Sequence, residues 1–383
     1  MVNTPDLMEL MAGLIRTPSV SSVSPEFDQS NMALIELLAS WLEDLHFNVE
    51  ILPLPMQPNK ANLLASMGSG PGGLVLSGHT DTVPYDAGLW NFDPFKLTEK
   101  DQRLYGLGTS DMKGFFALAI EAARRFDPKQ FKHPLFILAT ADEESSMEGA
   151  KMLVDLGRPK ARHAVIGEPT GMRPVHRHKG IIMEAIHVHG HGGHSSNPSL
   201  GVNAIEGLHR AIDMLLNWRE ELQGAHQNKE FNVPFPTLNL GLVSGGDNPN
   251  RICSHAQVHF DLRILPSMDM ALVHEELDKR LETVFKETSY RFERRQLSPG
   301  TPAMDTDVNA PIVKAIEKLT GYASEAVAFC TEAPYLNSLG MQTVVMGPGD
   351  IAQAHQPDEF LSLDRLQPTV DLLEKLIYEF CVQ

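Results

Sequence analysis

Short apolar runs that end abruptly in acidic or histidine clusters constrain this chain more than any other feature of its sequence. Leu74-Val75-Leu76 runs into Gly78-His79-Thr80-Asp81, Leu135-Phe136-Ile137-Leu138 into Asp142-Glu143-Glu144, and Ala164-Val165-Ile166 into Gly167-Glu168-Pro169-Thr170. Open α/β sheets collect their chemistry at the carboxyl ends of strands, where loops leave the buried sheet and polar groups converge on one crevice. Two further segments fit the same place. Gly106-Leu107-Gly108-Thr109-Ser110-Asp111-Met112-Lys113-Gly114 is a glycine-rich loop ahead of the helical run Phe115 to Arg125, and Ala354-His355-Gln356-Pro357 follows the strand-like Thr343-Val344-Val345-Met346 and the turn Gly347-Pro348-Gly349.

A chain of 383 residues exceeds the roughly 250 to 300 at which one hydrophobic core stops growing, so two domains are expected. No apolar run approaches the ~20 residues that span a bilayer, and the first residues, Met1-Val2-Asn3-Thr4-Pro5-Asp6, lack the basic start of a signal peptide. Three scattered cysteines, Cys253, Cys330 and Cys381, make no disulfide framework and favour a reducing compartment, the cytoplasm. A net charge of -17 argues against nucleic acid as a partner, because phosphate binding calls for basic patches. No membrane partner is expected either.

The pattern changes along the chain. Asp28 or Ser30 is placed to cap a helix carrying Met32, Leu34, Ile35, Leu38, Trp41 and Leu42, and the strand-like Asn48-Val49-Glu50-Ile51-Leu52 follows. This βα alternation implies a mixed or parallel sheet covered by helices. From Lys179 the spacing predicts a compact βαββα unit: a strand over Ile181–His189, a helix over Asn203–Trp218, strands over Thr237–Val243 and Ala256–Ile264, and a helix over Met270–Phe285. After Pro302 the first style returns, ending in a helix from about Asp364 to Phe380. The expected organisation is an α/β first domain over residues 1–178, an inserted α+β domain over 179–292, and the remainder of the first domain over 293–383.

His79, Asp111, Glu144, Glu168 and His355 are the candidate metal ligands. Zinc takes imidazole and carboxylate donors, and two zinc ions can share a carboxylate that spans them. Asp111, on its glycine-rich loop, is the expected bridge. Asp81 lies two residues past His79 and is expected to fix its tautomer. On an extended segment adjacent side chains diverge, so Glu144 can bind metal while Glu143 faces the reacting water as general base.

These motifs, together with Gly193-His194-Ser195-Ser196, make the chain resemble the zinc-dependent aminoacylase and carboxypeptidase group of metallopeptidases, family M20, over nearly its whole length. Within the family, one deacylase branch is matched further by His178-Lys179-Gly180, Gly201-Val202-Asn203-Ala204, Asn250-Arg251-Ile252-Cys253 and Cys330-Thr331-Glu332-Ala333-Pro334. The resemblance implies a zinc-peptidase-like catalytic domain and an inserted lid and dimerisation domain. It implies two zinc ions per subunit, cobalt being a possible substitute, one on His79, Asp111 and Glu168 and the other on Asp111, Glu144 and His355. It also implies a cis peptide after Asp111, and a homodimer in which His194 reaches the partner subunit's site to stabilise the oxyanion.

The implied substrate is an N-acyl amino acid, first of all N2-acetyl-L-ornithine of arginine biosynthesis. Acetylcitrulline, succinyl-diaminopimelate or a small peptide are alternatives, as is a non-catalytic zinc-binding scaffold, against which Glu143 argues. Lys179 and Arg263 are the candidate cations for its carboxylate, Asn250 and Thr331 candidate donors, and Glu332 a guess for its ammonium. His187, His189 and His191 fall on one face of a predicted strand with His176 and His178 nearby. With no carboxylate beside them in sequence, they read as an exposed strand face and not as a second metal site. Cys330 reads as a buried structural thiol, since no base accompanies it.

Overall fold

The computed structural model describes residues 5–383; residues 1–4 of the stretch read against a signal peptide lie outside them. The chain forms two compact units. One takes the chain up to His176 together with Asp305–Glu325 and Thr331–Gln383, and the other comprises Arg177–Met304 and Ala326–Cys330.

Six strands of a nine-stranded mixed sheet run in the order Asn48–Leu54, Gln57–Met67, Leu135–Thr140, Leu74–His79, His163–Ile166, Gln342–Val345. The first two of these, Asn48–Leu54 and Gln57–Met67, are antiparallel to their neighbours. The other four are parallel and adjacent, with His79 opposite Thr140, Ser77 opposite Ile166 and Val345 opposite Ile166. Their side chains are almost all buried, as a parallel sheet covered on both faces demands.

Leu7–Arg16, Met32–Asp44, Gly114–Ala123, Pro311–Thr320 and Leu366–Ile377 contribute to one apolar core with this sheet. Gly114–Ala123 is buried on every side except at Glu121, the mark of a helix enclosed by its neighbours. Neither Asp28 nor Ser30 is the cap residue of Met32–Asp44. Asn31 holds that position and turns its amide instead to the Ala61 carbonyl and the Thr80 hydroxyl. Asp28 is drawn to Lys60 at 2.6 Å, a stronger partner than a helix amide.

The second unit holds a four-stranded antiparallel sheet, ordered Thr237–Gly245, His255–Ile264, Gly180–His189, Arg291–Gln296, with the helices Ala204–Ala225 and Met270–Phe285. Residue 292 falls inside the strand Arg291–Gln296, which pairs with Gly180–His189, and the unit continues to Met304. Alternation along His255–Ile264 sends Ala256, Val258, Phe260 and Leu262 into a separate core around Trp218. The odd-numbered residues face outward. Among the described residues no helix is long and apolar enough to cross a membrane.

Candidate metal centre

Four parallel strands side by side deliver their carboxyl ends to one edge, and the polar clusters follow from that register. His79 ends its strand; Glu143 and Glu144 follow Leu135–Thr140, Glu168 follows His163–Ile166, and His355 follows Gln342–Val345. Asp111 comes from the loop leading into the buried helix Gly114–Ala123. The strand end bearing Glu168 is pressed onto that helix: a Cβ at Gly167 would lie 2.0 Å from the Phe115 ring, so only glycine allows the approach. Gly108, at φ +87°, turns the loop over the Lys113 stem, where a Cβ would meet Cε at 2.6 Å.

All five expected ligands converge around Asp111. Its Oδ1 lies 3.2 Å from His79 Nε2, and its Oδ2 3.5 Å from His355 Nε2. Glu168 Oε1 is 3.8 Å from His79 Nε2, and Glu144 Oε1 is 3.1 Å from His355 Nε2. The Asp111-Met112 peptide is cis.

His79 Nδ1 lies 2.9 Å from the Asp81 backbone carbonyl, to which it donates; this turns Nε2 toward carboxylate oxygens, where a neutral imidazole would present a lone pair. Lone pair against lone pair is repulsive unless a proton or a metal ion lies between them. Burial alone would depress the His79 imidazole, yet Asp111, Glu168, Asp81 and Glu143 together push it well above its ordinary value. Glu143 and Glu168 are both driven well up, by burial first and then by neighbouring carboxylates, while His79 opposes the rise. Glu168 Oε1 is buried without a hydrogen-bond partner. A crowd of anions around two imidazoles, with an orphaned oxygen inside it, is a donor set that fits divalent metal.

Two details differ from expectation. The Asp81 carboxylate stands 3.7 Å from the imidazole and instead accepts the amides of Glu143 and Glu144 at 3.2 and 3.0 Å. It thereby ties the His79 strand end to the Glu143-Glu144 turn, while the backbone carbonyl sets the tautomer. In addition, donor atoms of His79, Glu143 and Glu168 lie within 4.8 Å of one another, as do those of His79, Asp111 and Glu144. Distance alone therefore does not divide the ligands from the base.

Several residues that hold the site were not singled out from the sequence. Glu359, buried, accepts the amides of Gly108, Ser110 and Asp111 at 3.0, 2.7 and 3.0 Å. Burial pushes its carboxyl up to about 8 against those amides. Lys60, 2% exposed, places its ammonium 2.6 Å from Asp142 Oδ1, which also accepts from the Ser21 hydroxyl. Asp142 itself sits at φ 58° and starts the turn that carries Glu143 and Glu144. A position four residues beyond His355 was the one available signal for Glu359; nothing near Lys60 in sequence betrays its role.

The remaining expected residues are placed as follows. Glu332 is buried, with its oxygens accepting from Ser77 Oγ at 2.6 Å and Thr140 Oγ1 at 2.7 Å. It therefore stands beneath the strand ends and is no exposed partner for an ammonium. Thr331 is also buried, and its hydroxyl accepts from the Ala333 amide.

Lys179, His194, Asn250 and Arg263 belong to the second unit. The Lys179 ammonium is 2.6 Å from the Phe235 carbonyl, and burial, with Arg263 adding to it, lowers its pKa. Arg263 Nε donates to Asp261 at 3.0 Å. Asn250 is exposed, its amide bonded to Asn248 Oδ1 at 3.2 Å. His194 is exposed and pairs with Arg251 across a short ladder, its Nδ1 2.7 Å from the Ser196 hydroxyl.

Residues 75–379 match the sequence description of peptidase family M20/M25/M40. The chain belongs to that family. Among curated relatives it is 48% identical over 381 residues to the acetylornithine deacetylase of Pasteurella multocida (strain Pm70), covering 100% of both chains. It is 49% identical over 377 residues to that of Edwardsiella ictaluri (strain 93-146), covering 98% of each. The fold is shared with a tripeptidase from Staphylococcus aureus, at TM-score 0.76 with 20% identity and 98% coverage of both chains. It is shared as well with the M20 metallo-carboxypeptidase Sso-CP2 of Sulfolobus solfataricus, at TM-score 0.76 with 19% identity, covering 97% of this chain and 98% of that one. This M20 member is a metal-dependent amidohydrolase with the expected mixed-sheet α/β fold.

Proposed function

We propose that the chain hydrolyses N2-acetyl-L-ornithine to L-ornithine and acetate in arginine biosynthesis, as a cytoplasmic homodimer with two zinc ions in each subunit. The observation that carries the metal chemistry is Asp111, whose two oxygens face His79 on one side and His355 on the other. Support for the substrate comes from full-length relatives that bear the name acetylornithine deacetylase. The buried thiols Cys253 and Cys381 suit a reducing compartment.

His79, Asp111 and Glu168 would hold one ion, and Asp111, Glu144 and His355 the other; cobalt accepts the same donors. When bound, such a pair supplies Lewis acidity and a water of lowered pKa. Glu143 takes the proton from the attacking water and returns it to the leaving nitrogen. Burial first, and then Glu168, raises its affinity for the proton it must accept. Asp81 keeps Glu143 in position by accepting its backbone amide. His194, exposed in the inserted unit, serves the oxyanion of the partner's substrate, the inserted unit acting as lid and dimerisation domain. Arg263 and Lys179 are assigned to the substrate α-carboxylate, with Asn250 as a further donor.

The test is a panel of acylated amino acids and peptides offered to the zinc-loaded protein. N2-acetyl-L-ornithine is expected to give the highest kcat/KM, because a succinyl group brings a second carboxylate that must be paired when desolvated. A higher value for succinyl-diaminopimelate, acetylcitrulline or a free-amine dipeptide would replace the substrate and leave the metal chemistry standing.

A further inference from the structure

The outward face of the second unit's sheet does more than present solvated histidines. Gly180–His189 and His255–Ile264 are antiparallel, with His255 opposite His189 and Gln257 opposite His187. Ile186, Val188, Ala256 and Val258 are buried between them, so His187, His189, His255 and His259 all stand on the outer side. His187 Nδ1 and His255 Nε2 are 3.1 Å apart. The His189 ring centroid is 4.9 Å from that of His255, and the His259 centroid 6.4 Å from that of His187.

Two imidazole nitrogens bound at about 2.0–2.1 Å to one tetrahedral zinc are separated by roughly 3.3 Å. The His187–His255 pair is already at that spacing. His-x-His on a strand adds a third imidazole on the same face, since alternate residues share it. Across the sheet Glu293 pairs in register with His187, but its two oxygens accept from Arg295 at 2.7 and 2.8 Å, so the donors on this face are the imidazoles. Burial and the nearby Arg295 hold His187 below its ordinary value, which favours the neutral, ligating form at neutral pH.

We propose that this face binds one borderline divalent transition ion, of the class of Zn2+ or Ni2+, through His187 and His255, with His189 turning in as third ligand. Such a site is separate from the carboxylate-rich centre of the first unit. It clips two neighbouring strands together, so occupancy is expected to raise the stability of the second unit.

Equilibrium dialysis of the full-length, metal-loaded protein against Zn2+ and, in parallel, Ni2+ tests the proposal. Wild type should take up one further equivalent per chain. His187→Ala/His255→Ala should weaken that uptake at least tenfold, His189→Ala less so, and Gln257→Ala not at all. All the changes are on an outward face and should spare kcat and folding, which turnover and circular dichroism check. The added ion should raise the Tm of wild type and not that of the double variant. Equal uptake by wild type and double variant, or no further equivalent in wild type, would overturn the site.

Discussion

Glu143 and Glu144 are neighbours in sequence and sit in one cluster of donors, yet their bonding differs. Glu144 reaches His355 at 3.1 Å, whereas Glu143 stands by His79 and Glu168. If Glu143 moves the proton, Glu143→Gln should cut kcat by at least ~10²-fold while metal content, read by elemental analysis, stays near wild type. Loss of metal would mean that the two roles are exchanged. His163 offers a second residue-level test, away from the centre. Burial, helped by Arg162, lowers its pKa from 6.5 to about 4, and its ring packs against Phe380 at 4.4 Å. A depressed histidine contributes stability that is present above the unfolded value and is lost as pH falls toward the folded one. Denaturant unfolding should therefore show stability declining from about pH 6.5 to about pH 4. His163→Phe should make that decline shallower by on the order of 2 to 3 kcal/mol across the window; an unchanged slope would remove His163 from the acid response.

At the scale of elements, the short stretch His355–Glu359 supplies both a donor and an anchor for a different loop. Its glutamate gathers three amides around Asp111, so Glu359→Ala should leave those donors unpaired and the Asp111 loop loose. Metal affinity measured by chelator competition is expected to fall about 10- to 100-fold, with a smaller loss for Glu359→Gln; unchanged affinity would show that the loop holds itself. The strands and their carboxyl-end clusters were legible in the sequence, because a buried parallel strand is a short apolar run and its end is where polarity returns. The residues that converge around Asp111 were legible for the same reason. Lys60 and Glu359 were not, since each acts through contacts with residues distant in sequence: Lys60 bonds Asp142, and Glu359 the Asp111 loop. The strand Arg291–Gln296 escaped prediction because Arg291, Glu293, Arg294, Arg295 and Gln296 give an edge strand no apolar alternation to read. Asp28 as a helix cap failed because a buried lysine outcompeted the helix for it.

For the whole molecule, the proposal that His194 serves the partner's site makes the dimer the catalytic unit. Mixing Glu143→Ala protomers with His194→Ala protomers, each inactive alone, should then restore activity, because one composite site of each heterodimer keeps both residues. Heterodimers that form without regaining turnover would confine each site to its own chain.

His79 and His355 hold opposite sides of Asp111 with unequal grip. His79 is 1% exposed at the end of a central strand, whereas the His355 side chain is 53% exposed on a loop at φ 59°. Stripping a two-ion centre built this way should be biphasic: a fast phase from the His355 side, followed by a slow one that must wait for the sheet edge to open. Stopped-flow release into a chromogenic chelator reads both rates, and a single exponential carrying both equivalents would mean that the two ions leave together.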